Sequence, residues 1–426
     1  MKVLVIGSGG REHCLVWKIS QSPLVDKIYC APGNGGTFEI AENVNILAED
    51  IDSLLEFALK EDIDLTVVGP EIPLVLGIVD RFEEKGLKIF GPKKDLALLE
   101  GSKVYSKEVM RKYGVPTADF RIFTEAEEAK QYVSQKELPL VIKADGLAAG
   151  KGVIICESQD EAFKAIDSII VDKQFGDAGN KIIIEDLVDG EEVSVLIFTD
   201  GNTILPLVSS QDHKRAFDGD NGPNTGGMGA YSPAPLVNEE SFNQIIEKAF
   251  KPLIEGLRKE GKVYKGILYG GLMIKNKQSY VLEYNVRLGD PETQAILPKL
   301  KSDLVEVMLN TINESLSDTV LEWDDRFCLS VVLASGGYPG NYEKGNQIFG
   351  LEELKNMKDI YVFHAGTKTL DNKIVTNGGR VLNVVSIGAN IKEAQEKVYQ
   401  AIKTITFDKM FYRKDIGYRA LQRVNL

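Results

Sequence analysis

From Met1 to about Pro92, short apolar runs alternate with stretches in which apolar residues recur at helical spacing. KVLVIGSGG leads into REHCLVWKISQS, and VDKIYCAPGN, DIDSLLEFALKEDI, DLTVVGPE, PLVLGIVDRFEEKG and LKIFGP follow. Apolar strand, glycine or proline turn, helix and strand in succession predict a doubly wound parallel sheet with helices on both faces. Ligands of such α/β sheets gather at the carboxyl ends of the strands. Those ends are GSGGRE, APGNGGT, VVGPE and FGPKK, all rich in glycine, proline and polar groups.

From Gly101 the pattern turns to α+β. SKVYSKEVMRKYG and TEAEEAKQYVSQ predict helices, LPLVIKAD and GVIICES strands, DEAFKAIDSIIVDK a helix, and NKIIIEDLV and EEVSVLIFTDG strands. The polar stretch SSQDHKRAFDGDNGPNTGGMGAYSPAP has too little apolar content for core and predicts a long functional loop. A helix over NEESFNQIIEKAFKPLIEGLRKEG and a strand pair over YGGLMIKNKQSYVLEYNVR come next. From about Phe327 strand and turn alternate (CLSVVLASGGYPG, IYVFHAGT, GRVLNVVSIG) before a closing helix.

The 426 residues exceed one ordinary core and predict roughly two to four domains. With 43% hydrophobic and 27% charged residues the chain is globular. A net charge of -13 argues against nucleic acid and anionic membranes as partners, so an anionic substrate needs a local basic site. No apolar run reaches the ~20 residues of a membrane span, which predicts a cytoplasmic protein. The 4 cysteines (Cys14, Cys30, Cys156, Cys328) are scattered, and predict buried thiols rather than a disulfide framework or zinc site.

Several motifs carry chemistry. GSGGREH fits the first two glycines of a dinucleotide turn at Gly7 and Gly9, but Glu12 stands at the third, and IYCAPGN offers no acid for a ribose. What survives is a phosphate-friendly turn, with backbone N–H groups at Ser8 to Gly10, a helix N-terminus and Arg11, or else a tight turn that only starts a helix. In VIKADGLAAGKGVII, Gly146, Gly150 and Gly152 lie between two strands, flanked by Lys143 and Lys151. A hairpin of this kind can fold over triphosphate oxygens; as a plain hairpin it would leave Lys143 unpartnered in an apolar strand. In VLEYNVRLGDPE, Glu283, Asn285 and Arg287 project from one strand face, with oxygen ligands suited to magnesium and a guanidinium suited to a carboxylate or phosphate. A solvated edge-strand face would show the same spacing. In SQDHKR, Asp212 could hold an ammonium, and Lys214 and Arg215 phosphates, while GPNTGGMGAYSP brings backbone donors near. His213, His13 and His364 form no catalytic set, and no side-chain nucleophile is indicated. IEDLVDGEEVSV offers Asp186 to Val188 for an adenine edge and Glu192 for ribose hydroxyls, or is an ordinary connector.

Taken in order, GSGGREH, APGNGGT, VVGPE, FGP, LEGSK, IKADGLAAGKGV, SQDHKR, GPNTGGMGAYSPAP, GDPETQ, FHAGT and RKDIGYRA resemble the ATP-grasp ligases, and among them the phosphoribosylamine–glycine ligase (glycinamide ribonucleotide synthetase) family of purine biosynthesis. The resemblance implies an N-terminal substrate domain over 1–101, an ATP-grasp domain over 102–326 with a mobile small lobe at 117–188, and an α+β C-terminal domain over 327–426. It implies ATP between the lobes, with Lys103, Lys143, Lys151, Lys214 and Arg215 at phosphates and the Gly146, Gly150 and Gly152 loop above them. Glu185, Asp186, Leu187 and Val188 would line the adenine, Glu192 the ribose, and Asn224 would also contact ATP. Glu283 and Asn285 would bind Mg2+ or Mn2+; YGGLMIK lacks the further acid some ATP-grasp enzymes carry.

The implied reaction joins glycine to 5-phosphoribosylamine, ATP yielding ADP and phosphate through glycyl phosphate. Arg287 would meet the glycine carboxylate or transferred phosphoryl and Asp212 the ammonium, while Lys143 would serve the phosphoryl transfer. Gly9, Gly10, Arg11, Glu12, Asn34 and Glu71 would surround the phosphoribosylamine, in a monomer or weak homo-oligomer. The rivals are another ATP-grasp carboxylate–amine ligase or purine-pathway enzyme, a nucleotide-binding regulator with a dead site, and an NAD oxidoreductase.

Overall fold

A computed structural model describes residues 1–147 and 152–424; the expected phosphate-loop residues Gly150 and Lys151 lie outside the described residues. Strands β1 (Lys2–Gly7), β2 (Lys27–Pro32), β3 (Glu42–Asn43), β4 (Leu65–Val68) and β5 (Ile89–Phe90) form the predicted parallel sheet, in the order β3-β2-β1-β4-β5. The order reverses beside β1, which opens a crevice at the carboxyl ends of β1 and β4. β1 is buried on both faces: Leu4 and Ile6 join one core, while Val3 and Val5 join another that includes Cys14, Leu15, Ile296 and Leu304. The N-terminal sheet is thereby welded to helices Glu292–Ile296 and Leu304–Ile312 from far along the chain.

Strands β6 (Phe120–Phe123), β7 (Leu140–Ala144), β8 (Val153–Cys156) and β9 (Ile182–Asp186) make a small antiparallel sheet, β6-β9-β7-β8, with its own core against helices Ala126–Val133 and Gln159–Ile166. β10 (Glu191–Thr199) and β11 (Ile204–Pro206) follow.

The predicted long polar loop is corrected here. It contains β12 (Gln211–Asp212), β13 (Arg215–Phe217), β14 (Asn221–Asn224) and β15 (Gly229–Ser232), and every residue of β15 is buried. Its polar groups are paired internally: Ser232 Oγ donates to Ser209 O at 2.8 Å, and Tyr231 donates to Gln211. Hydrogen-bonded polar residues can be core, so apolar content alone misled.

β16 (Gly266–Lys275) and β17 (Gln278–Asn285) complete a second sheet, β11-β10-β16-β17. β18 (Phe327–Ala334), β19 (Ile360–His364), the hairpin β20 (Thr367–Leu370) and β21 (Lys373–Thr376), and β22 (Arg380–Gly388) come last. The C-terminal sheet runs β12-β15-β18-β22-β19, so it takes two strands from the segment before residue 327. All 4 cysteines are free and buried. No helix among the described residues is long and apolar enough to cross a membrane.

Candidate active site

The turn after β1 is built around Glu12. A Cβ on Gly7 (φ +126) would come within 2.4 Å of Glu12 Cγ, and one on Gly69, after β4, within 2.1 Å of its Oε1. Gly9 N–H donates to Glu12 Oε2 at 2.6 Å and Arg11 Nε to Oε1 at 2.5 Å, so the carboxylate closes the first turn of helix Gly10–Ile19. Glu12 is 2% exposed. Its carboxylate points inward, filling the space the third glycine of a dinucleotide turn keeps open, with its oxygens taken by Gly9 and Arg11. Arg11 N–H donates to Asp290 Oδ2 at 3.2 Å, so the helix N-terminus predicted for a phosphate already faces a carboxylate. Asn34 is also committed inward. Its Nδ2 donates to Ser8 O at 2.9 Å and His364 O at 2.8 Å, and its Oδ1 accepts from Gly36 and Thr37 N–H.

Arg287 stands where the N-terminal sheet meets β17. Nη2 donates to Glu100 Oε1 at 2.7 Å, Nε lies 3.3 Å from Glu71 Oε2, and Nη1 donates to Leu288 O at 3.2 Å. Glu100 also accepts from Val286 N–H at 2.8 Å. Burial dominates at Glu100 and, despite Arg287, pushes its carboxyl up to about 7. Burial works the same way at Glu71, but Arg287 and Arg11 outweigh it and hold that carboxyl below its ordinary range.

The lysines converge from three elements. Lys143 on β7 reaches Glu185 on the adjacent β9 and donates to Leu282 O at 3.3 Å. Lys143 thus has protein partners, contrary to the expectation that a plain hairpin would leave it none. Leu282 is free to accept because the β16–β17 register shifts between Gly271 and Leu272, a bulge that also aims Glu283 and Asn285 off one face. Lys107, one helical turn beyond Lys103, meets Glu185 Oε2 at 2.5 Å, and burial lowers it to about 8. Lys103 Nζ donates to Gly146 O at 2.9 Å. Burial opposes the charge of Glu283, yet Lys214, Lys103, Lys143 and Arg287 outweigh it and hold its carboxyl below the ordinary range. β17 is an edge strand, as the solvated-face alternative assumed, but Glu283 and Asn285 are only partly exposed.

Lys214 is held by Glu192, so the expected ribose acceptor and one expected phosphate donor neutralise each other. Asp212 Oδ1 is enclosed with no hydrogen-bond partner; burial, then the charge of Glu292, pushes this carboxyl well above its ordinary range. Asp186, at the end of β9, spends its N–H on Asp119 O at 3.0 Å and its carboxylate on Lys136. Leu187 and Val188 begin the connector to β10. Arg215 and Asn224 face each other across the β13–β14 ribbon, and among the described residues no hydrogen bond or ion pair joins them to the Glu283 group.

His213 is buried and neutral, its Nε2 accepting from Gly417 N–H at 3.3 Å, and burial with Arg413 and Arg419 lowers it to about 3. Sequence reasoning gave no role to Glu100, Lys107, Asp290, Glu292 or Arg380. Lys107 had a usable signal in its four-residue spacing from Lys103. Arg380, which holds Asp290 at 3.3 Å, had none. Among the described residues no trio of His, Cys, Asp and Glu could hold a metal; a carboxylate and an amide, Glu283 and Asn285, are the donor set available.

Three family descriptions match the chain in order: the phosphoribosylglycinamide synthetase N domain over residues 1–100, its ATP-grasp (A) domain over 101–293 and its C domain over 328–419. The phosphoribosylamine–glycine ligase of Yersinia pestis is 51% identical over 427 residues, covering 99% of this chain and 100% of the relative. That of Halalkalibacterium halodurans is 51% identical, covering 99% and 97%. The crystal structure of phosphoribosylamine–glycine ligase from Thermotoga maritima superposes with a TM-score of 0.86 at 35% identity, covering 98% and 100%. A biotin carboxylase from Campylobacter jejuni, solved as a β-γ-ATP complex, shares the fold, with a TM-score of 0.73 at 16% identity, covering 99% and 95%.

Proposed function

The chain belongs to the phosphoribosylglycinamide synthetase family, ATP-dependent ligases of purine biosynthesis that join glycine to 5-phosphoribosylamine, and from that premise we propose how its residues divide the work. The observation that carries the reading is the gathering of Lys103, Lys143, Lys214 and Arg287 around Glu283. ATP lies between the small lobe and the β10–β17 sheet, with Lys103, Lys143 and Lys214 at its phosphates, Gly146 and Gly152 beside them, and Arg215 and Asn224 at the rim. Leu187 and Val188 line the adenine, and Glu192 turns from Lys214 to the ribose as the triphosphate takes over that lysine. Glu185 supports Lys143 rather than meeting the nucleotide with its carboxylate, which two lysines already occupy.

Glu283 and Asn285 fit a hard cation that keeps its waters and shares phosphate oxygens, so they would hold Mg2+ or Mn2+. When bound, the ion neutralises phosphate charge during transfer. The remaining chemistry needs only positioning. A carboxylate is a poor electrophile, so the glycine carboxylate first takes the γ-phosphoryl group, giving glycyl phosphate and ADP. The amine of 5-phosphoribosylamine then attacks the acyl carbon, a C–N bond forms, the C–O bond to phosphate breaks, and the amine sheds its proton. Arg287 holds the carboxylate and the transferred group, and Asp212 the glycine ammonium. The phosphoribosylamine occupies the ends of β1 and β4, bordered by Gly9, Gly10, Arg11 and Glu71, with Asn34 and Glu12 shaping that edge from within.

The test is ADP formation with glycine and freshly generated 5-phosphoribosylamine, each omitted in turn. ADP release that persists without glycine refutes the reading.

A further inference from the structure

The GDPETQ segment supplies a residue that the reading above leaves idle. Glu292 opens helix Glu292–Ile296 and is 4% exposed. Its Oε1 accepts from Ser194 Oγ at 3.2 Å and from Tyr269 Oη at 3.1 Å, two hydroxyls themselves 2.9 Å apart. Among the described residues nothing donates to its Oε2, and Asp212 Oδ1 is enclosed with no partner either. The neighbouring cations are committed elsewhere: Lys214 to Glu192, Arg380 to Asp290, and Arg287 to Glu100 and Glu71. Asp212 Oδ1, a buried carboxylate oxygen without a donor, beside the donor-free Glu292 Oε2, calls for a cation that the chain does not supply.

The walls around the pair are tight. A Cβ on Gly227 would lie 2.8 Å from Asp212 Oδ1 and 2.4 Å from Pro291 Cδ, and one on Gly289 would lie 2.4 Å from Glu292 Oε2. The charge of Glu292 acts on both Asp212 and Arg287, so Glu292 lies near the groups given to the two ends of the amino acid.

We propose that Glu292 joins Asp212 in receiving the α-ammonium of glycine and makes the enzyme select a substrate that carries this charge. The inference rests on the placement of glycine between Arg287 and Asp212. An ammonium has three donors, and the pair offers two acceptors where a neutral hydroxyl would leave one carboxylate oxygen unanswered. Ser194 and Tyr269 act through Glu292, fixing its rotamer. An ammonium held by two carboxylates cannot attack the neighbouring acyl phosphate, which leaves the amine of 5-phosphoribosylamine as the nucleophile.

Glu292→Gln keeps the size and the Oε1 acceptor but removes the charge. The KM for glycine should rise roughly tenfold to a hundredfold, the loss of one charge-assisted hydrogen bond, with the KM for ATP within about twofold of the parent. Glycolate, which carries a hydroxyl in place of the ammonium, should inhibit the variant at least as well as the parent, so the preference for glycine over glycolate collapses by the same factor. A glycine KM unchanged within about twofold, or KM values for glycine and ATP that rise together with the glycolate preference intact, overturns the proposal. Tyr269→Phe covers the case in which Glu292→Gln does not fold: it should lose a few-fold of the same preference, and an unaltered preference is equally fatal. Glycine-independent ADP release by the parent enzyme would instead sink the underlying reading.

Discussion

Replacing Glu185 by glutamine removes the single anion shared by two buried lysines. Lys107 and Glu185 side chains are each 3% exposed and that of Lys143 is 8% exposed, so solvent can screen little of the resulting charge. One pair of unit charges ~4 Å apart is worth about 4 kcal/mol at an effective dielectric of about 20, and breaking a buried pair costs about 3–5 kcal/mol in practice. The loss should fall on the small lobe, whose core of Ala129, Ile142, Ile166, Ile182 and Ile184 is separate from the others. Lys107 limits the damage because it can release its proton. Its folded value is already lowered to about 8 against an ordinary 10.5, so the native state binds fewer protons than the unfolded chain between those values, and stability rises with pH across that window. Without Glu185 that value falls further and the relief reaches below pH 8. We therefore expect a defect of about 3–5 kcal/mol at pH 7 that is smaller at pH 9, read by urea unfolding and by amide exchange in β7 and β9. A defect below about 1 kcal/mol, or one that does not shrink as pH rises, would show that the three charges do not form the unit described.

Glu283→Ala should abolish turnover while circular dichroism and melting stay close to the parent; retained activity would remove Glu283 from the phosphate site. Glu100, raised to about 7 against an ordinary 4.5, contributes stability that is fully present below pH 4.5 and lost as pH rises through 7. Glu100→Gln cannot titrate, so urea midpoints at pH 5 and pH 8 should show the parent losing ground to the variant, and parallel curves would contradict this. Gly69→Ala drives a methyl to 2.1 Å from Glu12 Oε1, which should cost at least ~2 kcal/mol in thermal unfolding and raise the KM for 5-phosphoribosylamine; a neutral effect would mean that Glu12 is free to move.

The parallel sheet was legible because its strands are continuous apolar runs punctuated by glycine, and Glu283 and Asn285 because a two-residue spacing fixes a shared face. β15 was not legible. Its burial depends on partners such as Ser209 and Gln211, some twenty positions earlier, and on β18 about a hundred later, neither of which leaves a local periodic mark. That Glu12 and Asn34 brace the turns at the strand ends was not legible, since sequence does not say whether a polar group at a strand end faces a ligand or braces the turn. Glu100, Glu292 and Arg380 act across 90 or more residues of chain, where spacing carries no information.

The ordering of the C-terminal sheet has a consequence for synthesis on the ribosome. β12, which carries Asp212, is an edge strand joined only through β15 to β18 and β22, and His213 beside it is capped by Gly417. A nascent chain can complete the N-terminal sheet and the small lobe early, but the C-terminal sheet to which the strand bearing Asp212 belongs cannot form until β18, which begins at Phe327, more than a hundred residues further on, has been made. Translation arrested after β17 would leave β15 with an unpaired edge and this corner of the site unbuilt, so glycine selection should be among the last properties the chain acquires.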